Sequence, residues 1–121
     1  MYLYFLIVLV RQVPLFLEDH ILKYLDILIG NAATLGNLGP ITHVSPKVWG
    51  NVININLHGN WHLLHNFDPL LEKSEAGRVI FVTSTVGSIP RAYWSAYAVS
   101  KAALEMMTKI YALEKSETKV S

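Results

Sequence analysis

The chain has 121 residues, with ten basic and nine acidic side chains, 52% apolar residues and no cysteine. That length suits one small domain with a modest core, and the apolar content excludes disorder. The missing cysteines exclude disulfides and thiolate metal centres and fit a reducing, cytoplasmic compartment, while the scattered, nearly balanced charges leave no footprint for nucleic acid.

Met1 to Val10, MYLYFLIVLV, is almost wholly apolar and is interrupted by Arg11. A bilayer span needs about 20 apolar residues, so no membrane span is expected. The run also lacks the basic start and small-residue cleavage site of a signal peptide. It reads as a buried strand or a misfit terminal segment, with a membrane-contacting anchor as the alternative. Residues 1–20 are therefore set apart as a segment of uncertain structure, and 21–121 are read as the domain proper.

Asp19 to Lys23 reads as the end of a short helix. Leu25 to Ile29, LDILI, is a short apolar run stopping at Gly30-Asn31. It fits a buried parallel strand, although periodicity alone leaves a helix fragment open. Thr34 to Thr42 is a loop punctuated by two glycines and a proline. Ser45-Pro46 opens a helix, since serine caps free N–H groups and proline suits the first helical position. Along that helix Trp49, Val52, Ile53, Leu63 and Phe67 share one stripe. Asn56 lies within the stripe, where a buried amide must be hydrogen-bonded. Pro69 is expected near the helix end.

Arg78 to Val82, RVIFV, is a second β-branched run, ending in Thr83-Ser84-Thr85. A loop with Gly87 and Pro90 spans Val86 to Trp94. A further helix covers Ser95 to Glu114. Its apolar stripe is Val99, Ala102, Ala103, Met106, Ile110 and Leu113, while Tyr97, Lys101, Leu104 and Thr108 occupy a different face. The order strand, helix, strand, helix implies an α/β fold built on a right-handed parallel βαβ unit, part of a doubly wound sheet. Ligands bind such sheets beyond the carboxyl ends of the strands, where Asn31 and Ser84 both fall.

Two stretches carry tyrosine four residues before lysine: Tyr97 with Lys101, and Tyr111 with Lys115. Residues at this spacing are neighbours on a helix. A free phenol ionises at a pH of about 10, and a neighbouring cation favours the phenolate, so such a pair can move a proton near neutrality. Spacing alone does not separate the two copies.

Their surroundings do. Ser84 stands thirteen residues before Tyr97, at a strand end, and Asn56 stands twenty-eight before Ser84, inside the preceding helix. In this order Asn56, Ser84, Tyr97 and Lys101 resemble the active-site tetrad of the short-chain dehydrogenases/reductases. The position thirteen before Tyr111 is Ala98, so the second pair fails the comparison. LDILIGNAA, GRVIFVTSTVG and AYAVSKAALEMMTKIYALE resemble, in turn, the family's strand ending in Asn-Asn-Ala-Gly, its serine strand and its active-site helix. The resemblance covers about 21–121.

It implies a Rossmann-like fold and an NAD- or NADP-dependent oxidoreductase that reduces a small carbonyl or oxidises an alcohol. Tyr97 would pass the proton, Ser84 would hold the substrate oxygen, and Lys101 would bind the nicotinamide ribose and lower the phenol's pKa. Asn56 would hold a relay water. Asn31, Ala32 and Ala33 would line the cofactor cleft. The family also implies a homo-oligomer formed through the helices around 46–67 and 95–114.

The chain departs from the family in three places. Gly30 removes an amide, and Ala33 stands where the family's glycine is free to take a positive φ. None of the seven glycines gives the Gly-rich pyrophosphate turn. The sequence also ends at Lys119-Val120-Ser121, before the strand and loop expected to build the substrate pocket. The chain by itself is therefore expected to be inactive and to self-associate, and a non-catalytic remnant serving as an oligomerisation or binding module is the alternative reading. His58, His62 and His65 share a face opposite Asn56 and are read as polar or interface residues, with no metal site expected. Trp49, Trp61 and Trp94 are read as core, interface or pocket wall.

Overall fold

The computed structural model describes residues 6–9 and 23–121. Three strands form one sheet in the order β1 (Leu6–Leu9), β2 (Ile27–Gly30), β3 (Arg78–Phe81). β2 and β3 are parallel, with Leu28 opposite Val79 and Gly30 opposite Phe81. β1 runs antiparallel to β2, pairing Leu6 with Gly30 and Leu9 with Ile27. The apolar N-terminal run thus supplies a strand, and its direction differs from the all-parallel order expected for the rest. The short helix expected over Asp19–Lys23 lies outside the described residues except at Lys23, which is not helical.

Between β2 and β3 the chain climbs back through α1 (Pro46–Ile53), a π-helical turn (Asn54–His58) and α2 (Gly59–Leu71). Ser45 caps α1 by accepting from the Val48 N–H at 3.3 Å, as its place before Pro46 predicts. The π turn adds one residue to the helical register. The buried face consequently steps by four, through Val52, Asn56, Asn60 and Leu64. Pro69 falls near the helix end, as expected. It lies inside the last turn, exposed, and α2 continues to Leu71, whose side chain is fully buried. After β3, a 3₁₀ turn (Thr85–Gly87) leads to α3 (Ser95–Glu114).

Both helices pack on one face of the sheet. Leu25, Leu28, Leu64, Leu71, Tyr111 and Val120 form the buried core, with Leu63, Phe67, Leu70, Val79 and Phe81 against it. Each fully buried leucine contributes about 1.5–3 kcal/mol. The opposite sheet face shows Ile80 and Val82, which remain 49% and 43% exposed. The face α3 turns inward carries Ala96, Ser100, Lys101, Leu104 and Tyr111. The apolar stripe read from the sequence faces outward, with Val99, Met106, Ile110 and Leu113 all exposed. Hydrophobicity alone therefore points to the wrong face of α3 as the core face, because the inward face was built partly from polar groups that bond within it. Val120 pairs in parallel with Gly77, and Ser121 exchanges backbone bonds with Gly77 and Val79.

The lower ends of α2 and α3 are joined by the second tyrosine–lysine pair. The Tyr111 phenol donates to Asp68 at 2.6 Å, and the Lys115 ammonium bridges Asp68 and Glu72. Burial and the Asp68 hydrogen bond push the Tyr111 phenol far above the ordinary tyrosine range, with nearby carboxylates adding to the effect. This pair is a structural lock, set against proton transfer. Tyr111→Phe is expected to lower the unfolding free energy by about 1–2 kcal/mol in urea at neutral pH. An unmoved midpoint would mean that the bond adds nothing net.

Candidate active site

The parallel pairing sets the carboxyl ends of β2 and β3 side by side, with the Val82 N–H donating to the Gly30 carbonyl at 3.0 Å. Asn31, Ala32 and Ala33 follow β2 at this edge and are half-buried. Ser84 follows β3 and leads into the 3₁₀ turn, closed by the Gly87 N–H on the Ser84 carbonyl at 2.9 Å. The two departures at the end of β2 are accommodated. A side chain at Gly30 would collide with the Phe81 ring and the Asn60 carboxamide, which fill that space. Tyr93 is the one non-glycine residue among those described with a positive φ, 73°, so Ala33 needs no left-handed backbone.

Asn56 sits in the π turn with no exposed surface. Its side-chain oxygen accepts from the Thr34 N–H at 2.7 Å. Its nitrogen donates to the Thr34 carbonyl and to the Ser100 hydroxyl, both at 2.9 Å. Ser100 in turn donates to the Tyr97 carbonyl at 2.7 Å. One amide therefore ties the loop after β2 to α3 at the turn that carries Tyr97. The hydrogen-bonding demand on Asn56 was readable from its place in an apolar stripe. Ser100 and Asn60 were not singled out. The available signal was the same in both cases, a small polar residue one turn from a buried position.

Lys101 is 2% exposed, and its ammonium donates to the Val82 carbonyl at 2.7 Å, two residues before Ser84. It stands 5.7 Å from the Tyr97 ring centroid. Burial pulls its pKa below the ordinary lysine value. The Tyr97 ring also meets Trp94 edge-on, with centroids 6.0 Å apart, and Arg91 lies over Trp94 at 5.5 Å. Neither the Tyr97 phenol nor the Ser84 hydroxyl bonds to another described residue, whereas Asn56, Ser100 and Lys101 are all engaged. The fold thus brings the four predicted residues to one region, two as fixed supports and two with hydroxyls to offer.

His58, His62 and His65 lie exposed on the outer side of the helix. His58 bonds Asn54 at 2.9 Å, and the Trp61 ring stacks on His65 at 5.1 Å. Among the described residues no three metal-capable side chains converge. No helix among them is long and apolar enough to cross a membrane.

The family model described as short chain dehydrogenase matches residues 11–121. The chain is similar to the uncharacterized oxidoreductase YciK of Escherichia coli, 41% identical over 90 residues, which are 74% of this chain and 36% of that protein. It is similar to the D-beta-hydroxybutyrate dehydrogenase of Cupriavidus necator, 34% identical over 96 residues, covering 79% of this chain and 37% of that enzyme. Among solved structures, a Shigella flexneri short chain dehydrogenase complexed with NADP superposes with a TM-score of 0.77 at 39% identity, over 80% of this chain and 40% of the other. The chain thus spans well under half the length of the relatives it matches. With an α/β core, a parallel strand pair and a family match over nearly all its length, the chain belongs to the short chain dehydrogenase family.

Proposed function

We propose that this chain carries the proton-transfer side of an NAD(P)-dependent oxidoreductase site, reducing a small carbonyl or oxidising the corresponding alcohol. The observation that carries this reading is α3. It sets a phenol with no internal hydrogen bond beside a buried ammonium, and that ammonium is tied to the strand end bearing Ser84.

The residues present fit one part of the cofactor. The Lys101 ammonium has three donors and spends one on Val82, which leaves capacity for ribose hydroxyls. Asn31, Ala32 and Ala33 offer half-buried backbone on the same sheet edge. The 121 residues carry no Gly-rich turn for a pyrophosphate. A bound nicotinamide supplies or accepts the hydride. In the reducing direction Tyr97 donates its phenolic proton to the carbonyl oxygen as charge develops there, and Ser84 donates a hydrogen bond to the same oxygen. In the oxidising direction Tyr97 takes the hydroxyl proton. Asn56 spends both ends of its amide on Thr34 and Ser100, so it acts by holding the cleft loop and α3 together. The substrates are small molecules, and we assign the protein to the cytoplasm.

Titrating the ¹⁵N-labelled chain with reduced nicotinamide mononucleotide tests the fit without requiring turnover. Amide shifts are expected at Ala32, Ala33, Val82 and Lys101, and Lys101→Met should suppress them. Shifts scattered over the surface, or none at saturating ligand, would sink the reading.

The exposed stripe of Val99, Met106, Ile110 and Leu113 favours a second role. An apolar helix face of this kind suits pairing with a second copy through α3 and the helical run from α1 to α2. In a non-catalytic remnant this pairing would be the function that remains.

A further inference from the structure

The segment around Ser84 is fastened to α3 on both sides of the serine. The Thr83 hydroxyl donates to Glu105 Oε1 at 2.8 Å, and the Ser88 hydroxyl donates to Glu105 Oε2 at 2.7 Å. Between them Gly87 lies so close to the helix that an added Cβ would stand 2.6 Å from Glu105 Oε1 and 3.1 Å from the Lys101 carbonyl carbon. Within the segment, short-range bonds close the 3₁₀ turn, including Ser88 N–H to Thr85 at 3.2 Å and Ile89 N–H to Thr85 at 2.8 Å. Such turns have poor hydrogen-bond geometry and need outside support.

We propose that Glu105 is a positioning residue: by bridging Thr83 and Ser88 it fixes the Ser84 segment against the helix that carries Tyr97 and Lys101. This rests on the oxidoreductase reading of those residues. Glu105 stands four residues beyond Lys101, one turn along the same helix. Its two oxygens divide the work, one on each flank of the serine. Hydrogen bonds to an ionised carboxylate are about twice as strong as neutral ones. The Ser88 and Thr83 bonds, in that order, hold the Glu105 carboxyl below the ordinary range, and Lys109 adds to this. Catalytic groups must be held to within about 0.5 Å, and a displacement of about 1 Å can cost roughly 10²-fold in rate. Two anchors straddling Ser84 supply that kind of restraint.

Amide hydrogen exchange on the 121-residue chain tests the proposal. Glu105→Ala is expected to speed exchange at Gly87, Ser88 and Ile89 by about tenfold or more. The core amides of β2 and α2 should keep their rates. Glu105→Gln retains one acceptor oxygen and presents an NH2 that can donate to the other hydroxyl, so it should restore part of the protection. The Ser84 ¹³Cβ shift should move in the alanine variant and return part of the way in the glutamine variant. Thr83→Ala/Ser88→Ala, which keeps Glu105, should loosen the same amides. Native rates in Glu105→Ala, or acceleration spread equally over the core, would overturn the proposal. The nicotinamide mononucleotide titration separates the two readings. If it fails while the exchange pattern appears, the fastening stands and the oxidoreductase role falls.

Discussion

Tyr97→Phe is expected to lower turnover by about 10²–10⁴-fold, the usual contribution of a positioned acid or base, and Tyr111→Phe to leave it within about twofold, the change of surface or remote groups. The assay needs a complete cofactor site. It is best made in a graft, with this chain's matching segment replacing that of the Cupriavidus necator D-beta-hydroxybutyrate dehydrogenase, 34% identical over 96 residues. The two tyrosines share a helix and the same spacing to lysine, so a nonspecific effect of removing a phenol would strike both alike. They differ in what the phenol does. Tyr111 donates to Asp68 and is held protonated by burial and by that bond. The Tyr97 phenol bonds no described residue. Equal losses in the two variants would refute the assignment. So would a Tyr97→Phe graft that keeps its rate while the parent graft is active.

The sequence held the strands and the helix starts in plain view, because they follow from local chemistry: β-branched runs and a serine before proline. The grouping of Asn56, Ser84, Tyr97 and Lys101 came instead from the family resemblance, since spacing along one helix did not separate Tyr97 from Tyr111. It misled on α3. Val99, Met106 and Ile110 outweigh Ser100 and Lys101 on any hydrophobic scale, yet the polar pair faces inward. Ser100 is sheltered because Asn56 and the Tyr97 carbonyl satisfy it, and Lys101 because it reaches the Val82 carbonyl. Those partners lie up to 44 residues away in sequence, so no window of one helix reveals them. Glu105 escaped notice for a similar reason. Its bonds to Thr83 and Ser88 exist only once α3 has packed on the strand end. The direction of β1 was equally hidden, since an apolar run of that length carries no sign of which way it will pair.

Asn56→Ala and Lys101→Met are expected to move stability in opposite directions while both impair the site. Asn56→Ala leaves the Thr34 N–H and carbonyl and the Ser100 hydroxyl without their buried partner. That should cost about 2–4 kcal/mol, a large share of the roughly 5–15 kcal/mol that holds a domain folded. Lys101→Met removes a buried ammonium whose single bond, to Val82, offsets only part of its desolvation. Methionine fills a similar volume, so stability at pH 7 should rise by about 1 kcal/mol even as nicotinamide binding is lost. The pH dependence separates this from a packing effect. Lys101's pKa is lowered in the folded state, so the unfolded chain binds more protons between that value and about 10.4. Native stability therefore gains from this residue as pH climbs through that window, and Lys101→Met should lose the gain. Tyr111 and Lys115, whose folded pKa values are raised, act in the opposite sense. Their contributions are complete below a pH of about 10 and fade above it. Unfolding by urea, followed from pH 7 upward to about 10, therefore reads Lys101 before the other two intrude. Destabilisation by Lys101→Met comparable to that of Asn56→Ala would show that the lysine is an architectural support like the asparagine, and its place beside Tyr97 would then carry no functional weight.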